Sequence, residues 1–178
     1  MSTPPRLAPA RALPPYAYVP GGGRPHPQRD PDGHSYGRGD AAFGPPPAED
    51  GWCQHEGWLY ALDLFNHGYY WEAHEGLEKW WRETAVGDPR RSLFQGLLRL
   101  AAAGVKAREQ RPAGVRKHAL RAAELLAAAG SGRLLGLDPI RLRRAAAATA
   151  ARLRPAAGEP DAGAEPALDI VLDPRPSG

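Results

Sequence analysis

The stretch YYWEAHEGLEKWW, residues 69–81, decides the fold because its apolar residues recur at helical spacing. When each position turns by about 100°, those residues share one face of a helix. They are Tyr70, Ala73, Leu77, Trp80 and Trp81. The same stretch carries one histidine and three glutamates, which an apolar environment disfavours unless they are paired. We therefore predict a helix from Tyr70 to about Glu83, with polar residues at the edge of its apolar face.

The polar residues of this helix fall on two sides in the helical projection. His74 and Glu78 are one turn apart at the margin of the apolar face, and Arg82 follows one turn later. Glu72 and Lys79 project in the opposite direction, and we expect them to face solvent. The helix is therefore predicted to place an imidazole beside a carboxylate, with an arginine close enough to neutralise it.

This polar cluster has two interpretations. Its predicted members are Trp71, His74, Glu75, Glu78, Arg82 and, from the next helix, Gln95. In the first interpretation the cluster is a buried polar network that joins helix two to its neighbours. In the second it is a metal or acid–base site, because HEGLE at 74–78 resembles the zinc-protease pattern H-E-x-x-H. The sequence leaves both interpretations open, and with them the question of whether the protein is an enzyme.

A divalent metal held by two ligands of helix two would need at least one more ligand from elsewhere. The candidate ligands are His74 and Glu78 on helix two, His26 and His34 in the N-terminal region, and His118. In a catalytic site of this kind, His74, Glu75 and Glu78 are the candidate catalytic residues, with Glu75 as the general base. A divalent metal is the cofactor that this interpretation implies.

The rest of the central region also reads as helix, since no segment alternates with a strand period. Asp-Pro pairs at 88–89 and 138–139 are typical helix starts, and Gly68 suits a helix end. The further predicted helices run from about Pro47 or Gly51 to His67, Pro89 to Glu109, Pro112 to Ala129 and Pro139 to Leu153. We predict an all-α antiparallel bundle of about five helices: two tetratricopeptide-like hairpins and a C-terminal helix.

Proline usage divides the chain into three regions. Residues 1–50 hold 12 prolines, whereas residues 51–153 hold only Pro89, Pro112 and Pro139. We predict an irregular Pro/Gly-rich arm at 1–46, the helical domain at 47–153 and a Pro-rich acidic tail at 154–178. The arm contains tyrosines and histidines, so part of it is expected to dock near His74 and Glu78. ALDIVLD at 167–173 is expected to dock as a short extended segment.

Charge is unevenly distributed around the net value of +3. Residues 51–88 carry seven acids and two bases, whereas residues 89–153 carry 14 bases and three acids. The basic residues of helices four and five are candidates for binding nucleic acid: Arg116, Lys117, Arg121, Arg141, Arg144 and Arg152. Because aromatic residues for base stacking are absent after Phe94, nucleic acid is an unlikely partner.

Two features that the sequence lacks bear on the cellular compartment of the protein. Cys53 is the only cysteine, so no disulfide forms within the chain, which favours a reducing compartment. No run of about 18 apolar residues predicts a membrane span, and the N-terminus lacks the apolar core of a signal peptide. We therefore expect a cytoplasmic protein.

Two segments carry a family resemblance: LFNHGYYWEAHEGLEKWWR at 64–82 and FQGLLRLAAAGVKAREQRPAGVRKHALRAAELL at 94–126. They resemble the domain-of-unknown-function family 309, small all-helical bacterial proteins without an assigned activity. The similarity extends from about Leu62 to Leu126. Its densest residues are Phe65, Asn66, Gly68, Tyr70, Glu72, Ala73, His74, Glu75, Glu78, Trp81, Arg82, Gln95, Gly96 and Gly114. The resemblance implies an all-helical fold and no particular reaction.

Three functions are compatible with these observations. The first is a non-catalytic binding or scaffold module that uses the aromatic-rich first hairpin, with a protein partner or a second copy of the chain. The alternative is a metal-assisted, hydrolase-like enzyme centred on His74, Glu75 and Glu78. The second alternative is weak nucleic-acid binding through helices four and five.

Overall fold

A computed structural model of the protein describes residues 4–38, 42–152 and 167–174. Five α-helices follow one another along the chain: α1, Glu56–Asn66; α2, Tyr70–Glu83; α3, Pro89–Arg108; α4, Pro112–Ala128; and α5, Pro139–Ala151. Within the described ranges the chain forms no β-strand. The predicted all-α class with about five helices is therefore confirmed.

The first helix begins later than the sequence predicts. A 3-10 turn at Trp52–Gln54 precedes α1, and His55 is the N-cap residue. The His55 ring nitrogen Nδ1 accepts a hydrogen bond from the Trp58 amide at 3.0 Å. The predicted start at Pro47 or Gly51 is wrong because histidine takes a capping role that Ser, Thr, Asp or Asn usually has.

The turn between α1 and α2 is as predicted. Gly68 has a φ of 82°, the left-handed conformation that favours glycine at a helix end. The amide of Tyr69 then donates to the carbonyl oxygen of Leu64 at 2.8 Å. This hydrogen bond closes the end of α1 and allows α2 to begin at Tyr70 and fold back along its neighbour.

Both Asp-Pro pairs cap their helices. The Asp88 carboxylate accepts from the Arg90 amide at 2.8 Å, and the Asp138 carboxylate accepts from the Ile140 amide at 2.9 Å. The Arg90 side chain also donates to Asp88, and these hydrogen bonds lower the pKa of the Asp88 carboxyl below its ordinary value. The caps therefore set the starts of α3 and α5 at the predicted prolines.

Helices that are neighbours in the chain are also neighbours in space, from α1 to α5. Short turns join α1 to α2 and α3 to α4, which gives the two predicted hairpins with α5 packed on α4. At two positions, helices pack closely because a glycine has no side chain there. A Cβ on Gly104 would lie 2.4 Å from the Tyr70 ring, and one on Gly96 would lie 2.8 Å from Leu126.

An aromatic cluster forms the core between the first hairpin and α3. The rings of Trp58, Trp80 and Phe94 are fully buried, with centroids 5.8 to 6.0 Å apart. The Trp58 indole nitrogen donates to the carbonyl oxygen of Leu135 at 3.2 Å, which ties the segment between α4 and α5 to the first hairpin. These contacts pack α1, α2 and the start of α3 around one aromatic cluster.

The N-terminal arm packs on the first hairpin through Asp63, a fully buried carboxylate on α1. Its oxygens accept hydrogen bonds from Arg6 Nε and from the amides of Leu7 and Ala8, each at 2.8 Å. Tyr60 adds a hydrogen bond from its hydroxyl to the carbonyl oxygen of Ala12 at 3.1 Å. The described part of the arm is therefore held to α1 by specific polar contacts.

Residues 167–174 dock on the same hairpin without forming a helix or a strand. The Asn66 side chain accepts from the Leu172 amide at 2.7 Å and donates to the Leu172 carbonyl oxygen at 2.9 Å. The Tyr70 hydroxyl accepts from the Ala167 and Leu168 amides at 2.9 and 3.1 Å. The predicted docking of ALDIVLD is therefore confirmed.

Parts of all three predicted regions lie outside the described residues: residues 1–3 and 39–41 of the arm, the end of helix five at Leu153, and residues 154–166 and 175–178 of the tail. The boundaries of the three predicted regions stay predictions. Among the helices that the structure describes, none combines the length and the apolar character that crossing a membrane requires.

Candidate functional site

The predicted polar residues of α2 come together at its surface. His74, Glu75 and Glu78 each offer a nitrogen or oxygen atom that lies within 4.8 Å of the other two. His74 Nδ1 and Glu75 Oε1 are 3.7 Å apart, which is longer than a hydrogen bond. Among the described residues, this is the one group of three or more such side chains that could hold a metal ion.

The cluster is neither sealed in the core nor freely exposed. The exposed fractions of the His74, Glu75 and Glu78 side chains are 27%, 20% and 28%. Arg82 Nη2 donates to Glu78 Oε1 at 2.6 Å, the ion pair expected one turn apart. Because Arg82 itself is largely exposed, this pair is weak and can exchange with another cation.

His118 on α4 lies near this group. Burial lowers the pKa of His118, and the positive charges of Arg99 and Lys106 lower it further, with smaller contributions from Lys117 and His74. A pKa below 6.5 keeps the imidazole neutral at pH 7, with a nitrogen lone pair available to a metal or a proton. The same positive charges oppose a metal ion at His118, and His118 is not among the described residues that converge as possible metal ligands.

The other predicted members lie elsewhere. No hydrogen bond joins Gln95 to the cluster within the described part of the chain. Trp71 packs against the arm, with its ring centroid 5.3 Å from that of Tyr18 and 5.1 Å from that of His26. His34 bonds to a different glutamate, so the structure does not bring His26 or His34 to the cluster as metal ligands.

Glu72 is the buried carboxylate that sequence reasoning missed. We expected it in solvent, but it is only 5% exposed because the arm covers its side of α2. Its Oε1 accepts from the Tyr18 amide at 2.9 Å and from His34 Nε2 at 3.2 Å. Since an ionised carboxylate accepts hydrogen bonds and cannot donate them, His34 Nε2 carries the proton in this contact. Lys79, expected in solvent with Glu72, is partly covered and pairs with Glu83.

The second oxygen of Glu72 has no donor. Oε2 is buried and lacks a hydrogen-bond partner among the described residues. Leaving a buried acceptor unpaired costs about 1–3 kcal/mol, so a ligand that donates to it would be favoured. A helical projection of α2 could not predict the burial of Glu72, because Tyr18 in the arm, which bonds to it, lies 54 residues away in the chain.

A cleft of about 370 Å³ lies between the arm and the first hairpin. Its charged and aromatic lining includes Arg11, His34, Arg38, Trp71, Glu72 and Glu75. Glu75 belongs both to this lining and to the cluster on α2, so the two features adjoin. The arm thus forms one wall of this cleft.

The basic residues predicted on α4 and α5 are all at the surface. Arg121 Nη1 donates to Glu124 at 2.6 Å, and Arg152 Nη1 lies 3.4 Å from Asp169. Acidic neighbours therefore offset part of the positive charge that phosphate binding would use.

The fold and the polar cluster together define an all-α protein of two helical hairpins with a His/Glu/Glu group on the second helix. Residues 58–118, about a third of the chain, match the model of the family described as a domain of unknown function (DUF309). The match extends from α1 into α4 and confirms the resemblance seen in the sequence. No curated protein and no solved structure gives a significant match.

Proposed function

We propose that the protein is a binding module whose first hairpin holds a divalent metal ion at His74, Glu75 and Glu78. One observation carries the proposal: the three ligand atoms lie within 4.8 Å of one another on a single helix. A metal ion at their centre would replace the long His74–Glu75 contact with direct coordination of both side chains.

The donor set fits a borderline metal. One imidazole nitrogen and two carboxylates are typical ligands of Zn²⁺, and the same set also suits Mn²⁺ or Fe²⁺. The partial exposure of all three side chains leaves coordination positions for water or for an oxygen atom of a partner. The metal would therefore link α2 to a second molecule, and the protein's role would be recognition.

A binding role is favoured over catalysis by the position of Glu75. The general base of a metal hydrolase must not be occupied as a ligand, but Glu75 is one of the three groups that converge here. Glu78 is also paired with Arg82, so metal binding must first exchange that ion pair. Neither feature prevents metal binding, but both weigh against an activated water at this site.

The proposal is tested by titrating Zn²⁺ and Mn²⁺ into untagged, chelator-treated protein in a calorimeter. We expect about one ion bound per chain in the micromolar range, and at least a tenfold loss of affinity in His74→Gln and Glu75→Gln. Glu83→Gln is the matched control, because Glu83 lies on α2 and pairs with Lys79 outside the cluster. Absence of stoichiometric binding, or equal affinity in His74→Gln and Glu83→Gln, would overturn the proposal.

Metal-assisted hydrolysis is the second candidate, and His118 is the observation that favours it. A neutral imidazole on α4, electrostatically coupled to His74, is suited to accept a proton near neutral pH. A hydrolytic activity that needs metal and falls in His118→Gln, while metal affinity is kept, would support this candidate. If the two properties are lost together, His118 acts as a ligand instead.

A further inference from the structure

We infer that the cleft between the arm and the first hairpin binds a small zwitterion, with its ammonium group at Glu72 and Glu75 and its acidic group at Arg11 and Arg38. The inference goes beyond the proposed metal site because it uses a different cavity. The two share only Glu75.

The size of the cleft suits a small molecule. Its volume of about 370 Å³ lies near the lower end of the range of ligand pockets, roughly 300–1,000 Å³. Apolar and aromatic side chains form much of the wall, including Leu13, Tyr60 and Trp71. Such a wall excludes water and strengthens the few polar contacts that a ligand would make inside.

The acidic side of the cleft has unmet hydrogen-bonding capacity. Glu72 is almost completely buried, and its Oε2 has no donor among the described residues while its Oε1 is occupied by Tyr18 and His34. Glu75 has His74 as its ion-pair partner, at 3.7 Å. An ammonium group, with three donors, can satisfy two carboxylates at once.

The basic side of the cleft is supplied by the arm. Arg11 Nη1 donates to the Ala42 carbonyl oxygen at 2.8 Å, and its guanidinium lies 3.9 Å from the centre of the Tyr60 ring. These contacts fix the guanidinium in place while leaving other N–H groups for a ligand, since a guanidinium has five. Arg38 also lines the cleft and adds a second, exposed guanidinium.

The balance of charge selects against ligands of a single sign. Two arginines and two glutamates line the cleft, and His34 is already bonded to Glu72 and Ser35. A pure amine would bring a cation near the arginines, and a pure acid would bring an anion near the glutamates. A molecule with both groups pairs each end with the opposite charge, so specificity follows from the lining itself.

The test uses chelator-treated full-length protein, so that metal binding plays no part. Calorimetric titrations compare 5-aminopentanoate and the twenty standard amino acids with pentylamine and pentanoate. We expect at least one zwitterion to bind with a dissociation constant of about 1 mM or below, and its single-charge analogues to bind at least tenfold more weakly. No binding by any zwitterion, or equal binding by an amine or an acid, would overturn the inference.

Variants locate the site. Glu75→Gln and Arg38→Gln should each weaken zwitterion binding about tenfold, whereas Glu83→Gln should leave it unchanged because Glu83 does not line the cleft and pairs with Lys79. Loss of metal binding with zwitterion binding retained would refute the proposed function alone. Zwitterion binding that survives both Glu75→Gln and Arg38→Gln would refute the cleft as its site.

Discussion

The two helical hairpins share one architecture but are stabilised by different side chains. The first hairpin, α1 and α2, buries the polar residues Asp63, Asn66 and Glu72. The second hairpin, α3 and α4, packs through leucine, alanine and glycine, and Arg108 is the charged residue that it buries within the described ranges. The difference lies in what covers each hairpin: irregular segments lie on the first, whereas α5 lies on the second.

This contrast shows why buried polar groups are tolerated in one hairpin. Each is bonded to a segment distant in the chain: Asp63 to residues 6–8, Glu72 to Tyr18 and His34, and Asn66 to Leu172. The polar groups thus specify where the arm and the tail dock. The second hairpin has close helix contacts instead, which are specified by shape.

Asp63→Ala should reduce the stability of the protein more than any other substitution considered, because it removes the buried polar group that holds the arm to the first hairpin. Removing this buried carboxylate leaves Arg6 and the amides of Leu7 and Ala8 without their acceptor. We expect a loss of about 4 kcal/mol in the free energy of unfolding, measured by chemical denaturation. The arm should also become the first site of cleavage in limited proteolysis; an arm that remains protected would contradict this account of its docking.

Gly104→Ala tests the contact between the hairpins. The added Cβ would lie 2.4 Å from Tyr70, whose ring is buried and whose hydroxyl is held by residues 167–168. We expect a loss of up to about 3 kcal/mol in thermal or chemical unfolding. Gly132→Ala is the control: nothing lies within 4 Å of its added Cβ, so stability should change little or rise by up to about 1 kcal/mol. Equal effects would show that shape does not specify this packing.

Asn66→Ala should release residues 167–174 and leave the arm in place. Both the amide and the carbonyl group of Leu172 lose their partner in a buried setting. The expected loss is about 2 kcal/mol, with faster amide hydrogen exchange in residues 168–173. Exchange that accelerates equally in the arm would mean that the two segments dock as one unit.

His118→Gln should change how stability depends on pH. The folded pKa of His118 is lowered from 6.5, so the unfolded chain takes up the proton at higher pH than the folded protein does. The stability associated with this residue is present in full above about pH 6.5 and is lost as the pH falls through the folded pKa. Denaturation midpoints measured across this window should fall less steeply in the variant; identical slopes would contradict the assigned shift.

Glu124→Ala is expected to have the smallest effect. Glu124 forms an exposed ion pair with Arg121 on α4, and such pairs contribute about 0–1 kcal/mol. Its denaturation midpoint should stay close to that of the parent protein. A large loss would show that the second hairpin also depends on polar contacts and would remove the contrast with the first.

Much of the fold could be predicted because its signals are local. Four helix boundaries follow from local signals in the sequence. The turn at Gly68 sets the end of α1 and the start of α2, and the Asp88 and Asp138 caps set the starts of α3 and α5. The start of α1 could not be predicted in the same way because His55 caps it. Its imidazole acts there only because the preceding 3-10 turn places it near the Trp58 amide.

The candidate site was predictable only where its geometry lies within one helix. His74, Glu75 and Glu78 share a helical neighbourhood that spacing alone defines. Glu72 could not be placed because its environment depends on Tyr18 and His34, which reach it from the arm. The cleft follows from the same long-range docking, so its lining has no signature in the sequence of α2.

The docking of residues 167–174 has a consequence for synthesis on the ribosome. The hydrogen bonds of Asn66 to Leu172 join positions 106 residues apart, whereas the helices pack on their neighbours in the chain. Contacts between neighbours form early and distant ones late, because closing a long loop costs entropy. The Asn66 side chain therefore lacks its Leu172 partner while α3, α4 and α5 are being translated, and a nascent chain halted before residue 167 would not form these two hydrogen bonds.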